Sequence, residues 1–325
     1  MRRFIVAAML CFLMALSGCA QKNAANEADA PAPEDTLLLG YAQLGSESGW
    51  RIGNSRSIQE AAKASGVQLM FINAEQKQEK QIKAIRSFIA YQVDVIAFSP
   101  IVEDGWDNVL KEAKDANIPV LLVDRNIKTS DESLYSGFVG SDFLQEGQRA
   151  GEFLIKRTAA MDSVNIVEIT GTVDSTPMRQ RSEGFRKALE ESDKYHIVAS
   201  VMGDFMRSKG KECMETLLQQ YDDIDVLYSH NDQMTLGAIE AIEAAGLAPG
   251  KDIIIITVDG EQEAIDALKA GKINCVVECT PMLGETVIQL AKELARGKTI
   301  ARCTYSQETT FTEYDDLSAL APRGY

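Results

Sequence analysis

From Thr36 onward, short apolar runs alternate with amphipathic stretches along the whole chain. Leu37–Ala42, Val67–Asn73, Val93–Phe98, Val120–Asp124 and Tyr135–Val139 are nearly continuous in aliphatic and β-branched residues. That is the pattern of strands buried on both faces of a parallel sheet. Between them Gly53–Ser65, Gln78–Tyr91 and Trp106–Asn117 read as helices. In the second, Ile82, Ile85, Phe88 and Ile89 recur at three and four residues, which gathers them on one helical face. The theme then restarts. Val164–Thr170, Ile197–Met202, Val226–Tyr228, Ile253–Val258 and Ile273–Val277 are predicted strands, alternating with helices at Met178–Glu191, Ser208–Gln220, Gln233–Ala245 and Gln262–Ala270. Gly66, Gly246 and Gly271 fall where helices end, as C-capping glycines do. Two successive β-α-β series predict an α/β fold of two doubly wound parallel-sheet lobes. Ligands of open α/β sheets bind outside the carboxyl ends of the strands, so two facing lobes make a cleft.

The N-terminus has a different pattern. Arg2-Arg3 precede an apolar run from Phe4 to Leu16 that closes in Leu16-Ser17-Gly18-Cys19. This is the layout of a secretory signal peptide over residues 1–18. Its ending resembles the bacterial lipoprotein box, which implies cleavage before Cys19 and acylation of that cysteine. An ordinary signal peptide that happens to end in Cys is the plainer alternative. A membrane span is disfavoured, because the run is shorter than the ~20 residues needed. Residues 19–35 are rich in Ala, Asn, Glu, Asp and Pro without periodicity and are expected to be a flexible, lipid-anchored spacer. The expected location is extracytoplasmic, held at the membrane through the lipid alone.

Composition narrows the function classes. The formal charge of −15 falls to −17 when Arg2 and Arg3 leave with the signal peptide, which argues against nucleic acid or an anionic bilayer as the main partner. Beyond Cys19, the cysteines are Cys213, Cys275, Cys279 and Cys303. Cys275 and Cys279 are four apart in a strand-like run, roughly 13 Å along one face and too far for a mutual disulfide. With only two histidines, His196 and His230, and no ligand spacing, neither a structural metal nor a cofactor is expected; buried free thiols are.

The informative chemistry sits at the predicted strand ends. The first strand leads to Glu47-Ser48-Gly49-Trp50-Arg51 and the fourth to Asp124-Arg125. In the second half the strands lead to Gly171-Thr172 with Arg179 and Arg181 beyond, to Gly203-Asp204-Phe205, to His230-Asn231-Asp232 and to Asp259-Gly260, with Glu278 on the last crossing. Carboxylates, amides and guanidiniums pair with sugar hydroxyls, and flat rings such as Trp50 and Phe205 pack on sugar C–H faces. Gly-Ser-Glu-Ser-Gly is a poor phosphate loop, and no G-x-G-x-x-G follows a strand, so nucleotides are disfavoured. Each residue has a plainer reading. Trp50 can cap a core, Asp124-Arg125 can be a surface ion pair, Arg181 can be a solvated helix residue, and Asn231 or Asp232 can cap the helix after it. Trp106 and His196 are taken as structural, and His230 is left open. The shared position of the others, at one rim, favours a ligand.

At these residues the chain resembles the type I periplasmic sugar-binding proteins, solute receptors of ABC importers, from about Leu37 to the C-terminus. Gln43-Leu44-Gly45-Ser46-Glu47-Ser48-Gly49-Trp50-Arg51, Gln76-Lys77-Gln78-Glu79, Leu110-Lys111-Glu112-Ala113-Lys114-Asp115-Ala116 and Gly203-Asp204-Phe205-Met206-Arg207-Ser208-Lys209-Gly210 resemble its galactofuranose-binding members. The resemblance implies that Glu47, Ser48, Trp50, Arg51, Asp124 and Arg125 line one lobe, and that Arg181, Asn231, Asp259 and Glu278 close from the other. Arg179 matches the arginine of ribose receptors and Arg181 that of galactofuranose receptors. Thr172-Val173-Asp174-Ser175-Thr176-Pro177 departs from the family's small, Gly- and Ala-rich version, and its Asp and Pro are expected to reshape the pocket floor.

The resemblance further implies three crossings between lobes, near Gly140-Ser141, Glu278-Cys279 and Ser306-Gln307. The lobes are then 36–140 plus 279–306 and 141–278 plus 307–325, closing about a hinge. The implied function is a non-catalytic monomeric receptor that delivers a monosaccharide, galactofuranose or a related furanose or pentose, to permease subunits. Three rivals stand beside it. Asp124 and Asp259 can be cast as the acid and base of a glycoside hydrolase, although each has a nearby partner. A repressor's effector domain would need a DNA-binding segment where the leader lies. A sensor docking on a chemoreceptor or membrane kinase would share the binding chemistry.

Overall fold

The computed structural model describes residues 36–325; the expected leader, Cys19 and spacer lie outside the described residues. Two six-stranded sheets organise it. The first half forms β1 (Leu38–Gln43), α1 (Gly49–Ala64), β2 (Gln68–Asn73), α2 (Gln78–Ala90), β3 (Val95–Phe98), α3 (Asp107–Asp115), β4 (Val120–Val123) and β5 (Gly137–Gly140). The second half forms α4 (Phe143–Arg157), β6 (Val164–Thr170), α5 (Thr176–Leu189), β7 (Tyr195–Met202), α6 (Arg207–Gln220), β8 (Val226–Ser229), α7 (Asp232–Ala244), β9 (Ile254–Asp259), α8 (Gln262–Lys269) and β10 (Cys275–Glu278). The chain then adds α9 (Gly284–Ala295), β11 (Cys303–Tyr305) and β12 (Thr310–Thr312).

The strand orders are β11-β5-β4-β3-β1-β2 and β12-β10-β9-β8-β6-β7, the same doubly wound order in each sheet. Pairing is parallel throughout except for β12 on β10. The late segments are exchanged: α9 packs on α1 beneath the first sheet, β11 joins that sheet, and β12 returns to the second. Apolar cores fill both faces of each sheet, as the unbroken β-branched runs require.

Two helices, α4 and α9, and the strands β11 and β12 were not anticipated from the periodicity. In α4 the apolar stripe is interrupted by Gly147 and Gly151, which lower helix propensity. The structure shows what those glycines do. A Cβ on Gly147 would lie 2.3 Å from the Arg181 carbonyl, and one on Gly184 would lie 2.1 Å from the Leu144 carbonyl. The α4 and α5 backbones therefore touch, which fixes Arg181 against its neighbour Glu146.

Helix α1 begins at Gly49, earlier than expected, because the Ser48 hydroxyl accepts the Arg51 N–H and caps the first turn. Trp50 and Arg51 thus lie on a helix and not on a loop. Among the described residues the cysteines are free; Cys275 and Cys279 are buried, Cys213 is half-buried and Cys303 is exposed, so the expectation of buried thiols holds for two of the four. Among the described residues no helix is long and apolar enough to cross a membrane.

Candidate functional site

One cleft collects residues from both halves at the carboxyl ends of the strands. Its lining comprises Glu47, Ser48, Trp50, Arg51, Asp124 and Arg125 from the first half, and Phe143, Pro177, Arg181, Phe205, Asn231, Asp259 and Cys279 from the second half and its crossings. They surround about 300 Å³ of space not filled by protein atoms.

The first-half wall is an ionic chain. Arg51 Nη2 donates to Asp124 Oδ2 at 2.6 Å and Arg51 Nε to Glu47 Oε1 at 3.1 Å. The Arg51 guanidinium also lies 4.6 Å from the centre of the Trp50 ring. Burial would pull the Arg51 pKa down, but Asp124 and Glu47 hold it above the ordinary value. Asp124 sits just past β4 with φ of 64°, a left-handed conformation that aims its carboxylate across the strand ends. Arg125 Nη1 donates to the Ile101 carbonyl at 3.0 Å, and the Arg125 guanidinium lies 5.2 Å from the centre of the Phe205 ring. Burial and the neighbouring Arg51 lower its pKa to about 10.

The second-half wall is centred on Arg181. Its Nε donates to Glu146 Oε2 at 2.7 Å, its Nη1 donates to the His230 carbonyl, and its Nη2 stands 3.6 Å from Asp259 Oδ1. Burial opposes the Arg181 charge, yet Glu146 raises its pKa above the ordinary value. Asp259 is pushed the other way: burial raises its carboxyl pKa well up, against the pull of Arg181. Asn231 caps α7 by accepting the Met234 N–H, and its Nδ2 donates to the Phe205 carbonyl, so the capping reading and the cleft reading are both met. Phe205 adopts a φ of 60° and lays its ring on Gly171, where a Cβ would meet ring atoms at 1.8 Å. Only a glycine at the end of β6 leaves room for that ring.

The lining holds three carboxylates, Glu47, Asp124 and Asp259, against three guanidiniums, Arg51, Arg125 and Arg181. Such a balanced wall suits an uncharged ligand rich in donors and acceptors. Glu47 Oε2, Arg51 Nη1 and Arg125 Nε are buried without a hydrogen-bond partner. Unpaired buried polar atoms are costly, and three on residues that line one cleft mark it as suited to a polar molecule.

Of the residues singled out in the sequence, Arg179 and Glu278 are not brought to the cleft lining. Arg179 precedes Arg181 by two helical positions, about 200° around the axis, so it faces outward and pairs with Glu103 at 3.0 Å. Glu278 ends β10 facing away from the cleft; it accepts the Thr309 N–H and pairs with Arg323. Its successor Cys279 lines the cleft, as alternation along an extended chain dictates. Phe143, Pro177 and Cys279 were missed as lining residues. Pro177 lies in the segment expected to reshape the pocket floor, and Phe143 belongs to the helix that periodicity does not reveal. His230, left open, is buried behind the site with Nε2 at 3.0 Å from Glu168 Oε1. Trp106 is buried in the first-half core and His196 is exposed.

Comparison with known proteins agrees with this geometry. The sequence pattern of the periplasmic binding protein domain matches residues 41–299. The galactofuranose-binding protein YtfQ of Escherichia coli K12 is 40% identical over 296 residues, 89% of this chain and 93% of that protein. A Mycobacterium smegmatis protein solved in complex with β-D-fucofuranose is 47% identical, with a TM-score of 0.84 over 86% of this chain and 92% of that one. The periplasmic binding component of the arabinose ABC transporter of Shewanella sp. ANA-3, solved with α- and β-L-arabinofuranose, is 43% identical, with a TM-score of 0.82 over 85% of this chain and 92% of that one. The Escherichia coli and Shewanella relatives are named as binding proteins. With two doubly wound lobes, a charge-balanced cleft between them and a family match across most of its length, the chain belongs to the periplasmic binding proteins.

Proposed function

We propose that this chain is the sugar receptor of an ABC importer, capturing a monosaccharide in its furanose form, galactofuranose or a related furanose, between its lobes. The observation that carries this reading is the set of unpaired buried atoms, Glu47 Oε2, Arg51 Nη1 and Arg125 Nε, on residues that line a cleft together with Trp50 and Phe205. Hydroxyls would supply the missing partners, and the aromatic faces would pack on the ring carbons. The furanose-bound relatives support the ring form.

In this proposal the lobes are residues 36–140 with 279–306, and 141–278 with 307–325. They close on the ligand, and the closed form is what permease subunits read. Leu16-Ser17-Gly18-Cys19 supports a lipid anchor at Cys19 and an extracytoplasmic domain on a spacer.

Calorimetric titration of residues 36–325 with D-galactose, L-arabinose and D-ribose, each with its furanose fraction quantified, tests the ligand. Affinity that tracks the furanose fraction supports the proposal. Equal binding of methyl pyranosides, whose rings cannot open, would overturn the ring form. Failure to bind any sugar would overturn the receptor. Labelling with palmitate, abolished by Cys19→Ala, tests the anchor.

A further inference from the structure

We infer that Arg179 and Glu103 form a latch that holds the cleft closed without touching the ligand. The inference deepens the proposed receptor reading and rests on it. Arg179, on α5 of the second half, makes a two-pronged pair with Glu103, in the loop after β3 of the first half: Nη2 to Oε1 at 3.0 Å and Nε to Oε2 at 3.2 Å. Neither residue belongs to the cleft lining. The Arg179 side chain is 50% exposed, whereas that of Glu103 is 11% exposed, so the pair closes over the outer edge of the interface.

The pair is one member of a seam. The Glu103 N–H donates to the Asp174 carbonyl at 2.9 Å. The Asn126 N–H donates to Thr176 Oγ1 at 3.0 Å, and the Thr176 hydroxyl donates back to the Asn126 carbonyl at 3.0 Å. Thus the unusual Thr172–Pro177 segment meets the opposite half at Asp174 and Thr176. Thr172 Oγ1 donates to Asp204 Oδ1, and Ser175 Oγ donates to the Thr172 carbonyl, which keeps the segment in shape with Asp174 at a φ of 60°.

Both sides of the seam are tied to the cleft. On one side, Ile101 accepts from the cleft residue Arg125 two positions before Glu103. On the other, the cleft residue Pro177 sits two positions before Arg179. A ligand that orders Arg125 against Phe205 and Pro177 therefore aligns the two arms of the latch. A pair made between the halves only in the closed form biases the closed form over the open one, so losing it speeds release through the open form without altering what the cleft selects. Arg179 is accordingly a positioning residue.

The test is stopped-flow dissociation of D-galactose or L-arabinose, read by tryptophan fluorescence in the wild type, Arg179→Glu, Glu103→Arg and the double exchange. Each single reversal is expected to speed release about tenfold and to leave the preference between the two sugars unchanged, while the double exchange returns the rate to within about threefold of wild type. The milder Arg179→Gln and Glu103→Gln, expected to speed release about threefold, serve if a reversal fails to fold. A change in sugar preference confined to the Arg179 variants, without rescue by exchange, would make Arg179 a ligand contact and overturn the latch. Wild-type binding with unaltered release in every variant would overturn the latch alone. A wild-type protein that binds neither sugar would overturn the receptor reading and the latch with it.

Discussion

Arg51 and Asp124 join two separate elements of the cleft wall: Nη2 in the first turn of α1 donates to Oδ2 just past β4, 2.6 Å away, with both side chains about 95% buried. Without Asp124 the Arg51 guanidinium keeps Glu47 as its one carboxylate partner, and Nη2 joins Nη1 in having none. Asp124→Asn keeps the shape but removes the charge opposite Arg51. It is expected to weaken sugar binding about tenfold or more, about 1.4 kcal/mol, because only Glu47 then holds the Arg51 guanidinium in the cleft wall. Calorimetry reads this directly, and unchanged affinity would mean that the pair does not serve the ligand.

Gly171 and Phe205 make a second expectation. Gly171→Ala places a methyl group where the ring lies, at 1.8 Å, so the ring must leave the cleft wall. Overpacking of this kind costs about 1–3 kcal/mol of stability. The larger effect is expected in affinity, because the displaced ring also forfeits its contact with Arg125. A variant that binds as tightly as wild type would show that Phe205 is not needed where it stands.

Behind the site, Glu168 is fully buried and accepts from Arg186, Ser182 and Ser200, with His230 at 3.0 Å. Burial alone would raise its pKa, but His230 and Arg186 hold it far below the usual carboxylate range. The stability it contributes is present above its ordinary unfolded pKa and is lost as pH falls toward the folded one. Glu168→Gln is expected to cost about 3 kcal/mol at pH 7, the low end for a broken buried pair because Arg186 is half-exposed. Urea unfolding at pH 7 and pH 4 should show the deficit shrinking in acid.

Glu308 has the opposite sign. Burial, with Glu146 beside it, pushes its carboxyl up to about 8, while Ser141 and the Thr280 N–H only partly offset this. A raised carboxyl pKa stabilises the fold at low pH, and that contribution is lost as pH rises from its ordinary 4.5 through 8. Asp232, also raised to about 8 by burial and Glu261, adds to the same slope. Glu308→Gln should therefore flatten the fall in stability between pH 5 and 8, by at most about 1.4 kcal/mol per pH unit. Parallel profiles for variant and wild type would show that Glu308 is ionised in the folded protein.

Much of the architecture was legible because it rests on local periodicity. The ten strands of the two β-α-β series and their seven intervening helices follow from runs that must be buried on both faces or on one. Helix α4 escaped because Gly147 interrupts its stripe to let it touch α5, whereas α9 carries a regular stripe of Val287, Ile288, Ala291 and Leu294 that went unread. The exchange of α9, β11 and β12 between halves was implied only by family resemblance, since no local pattern states which sheet a late strand joins.

For the site, the sequence alone determined which chemistry gathers at the strand ends, because a parallel sheet delivers every loop after a strand to one rim. It brought Glu47, Trp50, Arg51, Asp124, Arg125, Arg181, Asn231 and Asp259 to one cleft by that rule. Only the tertiary structure decided direction. Arg179 and Arg181 share a helix but point to different faces, and Glu278 and Cys279 are neighbours on opposite sides of an extended chain. Side-chain direction depends on where each helix or strand begins and on what packs against it, and those are fixed by contacts between residues far apart in sequence.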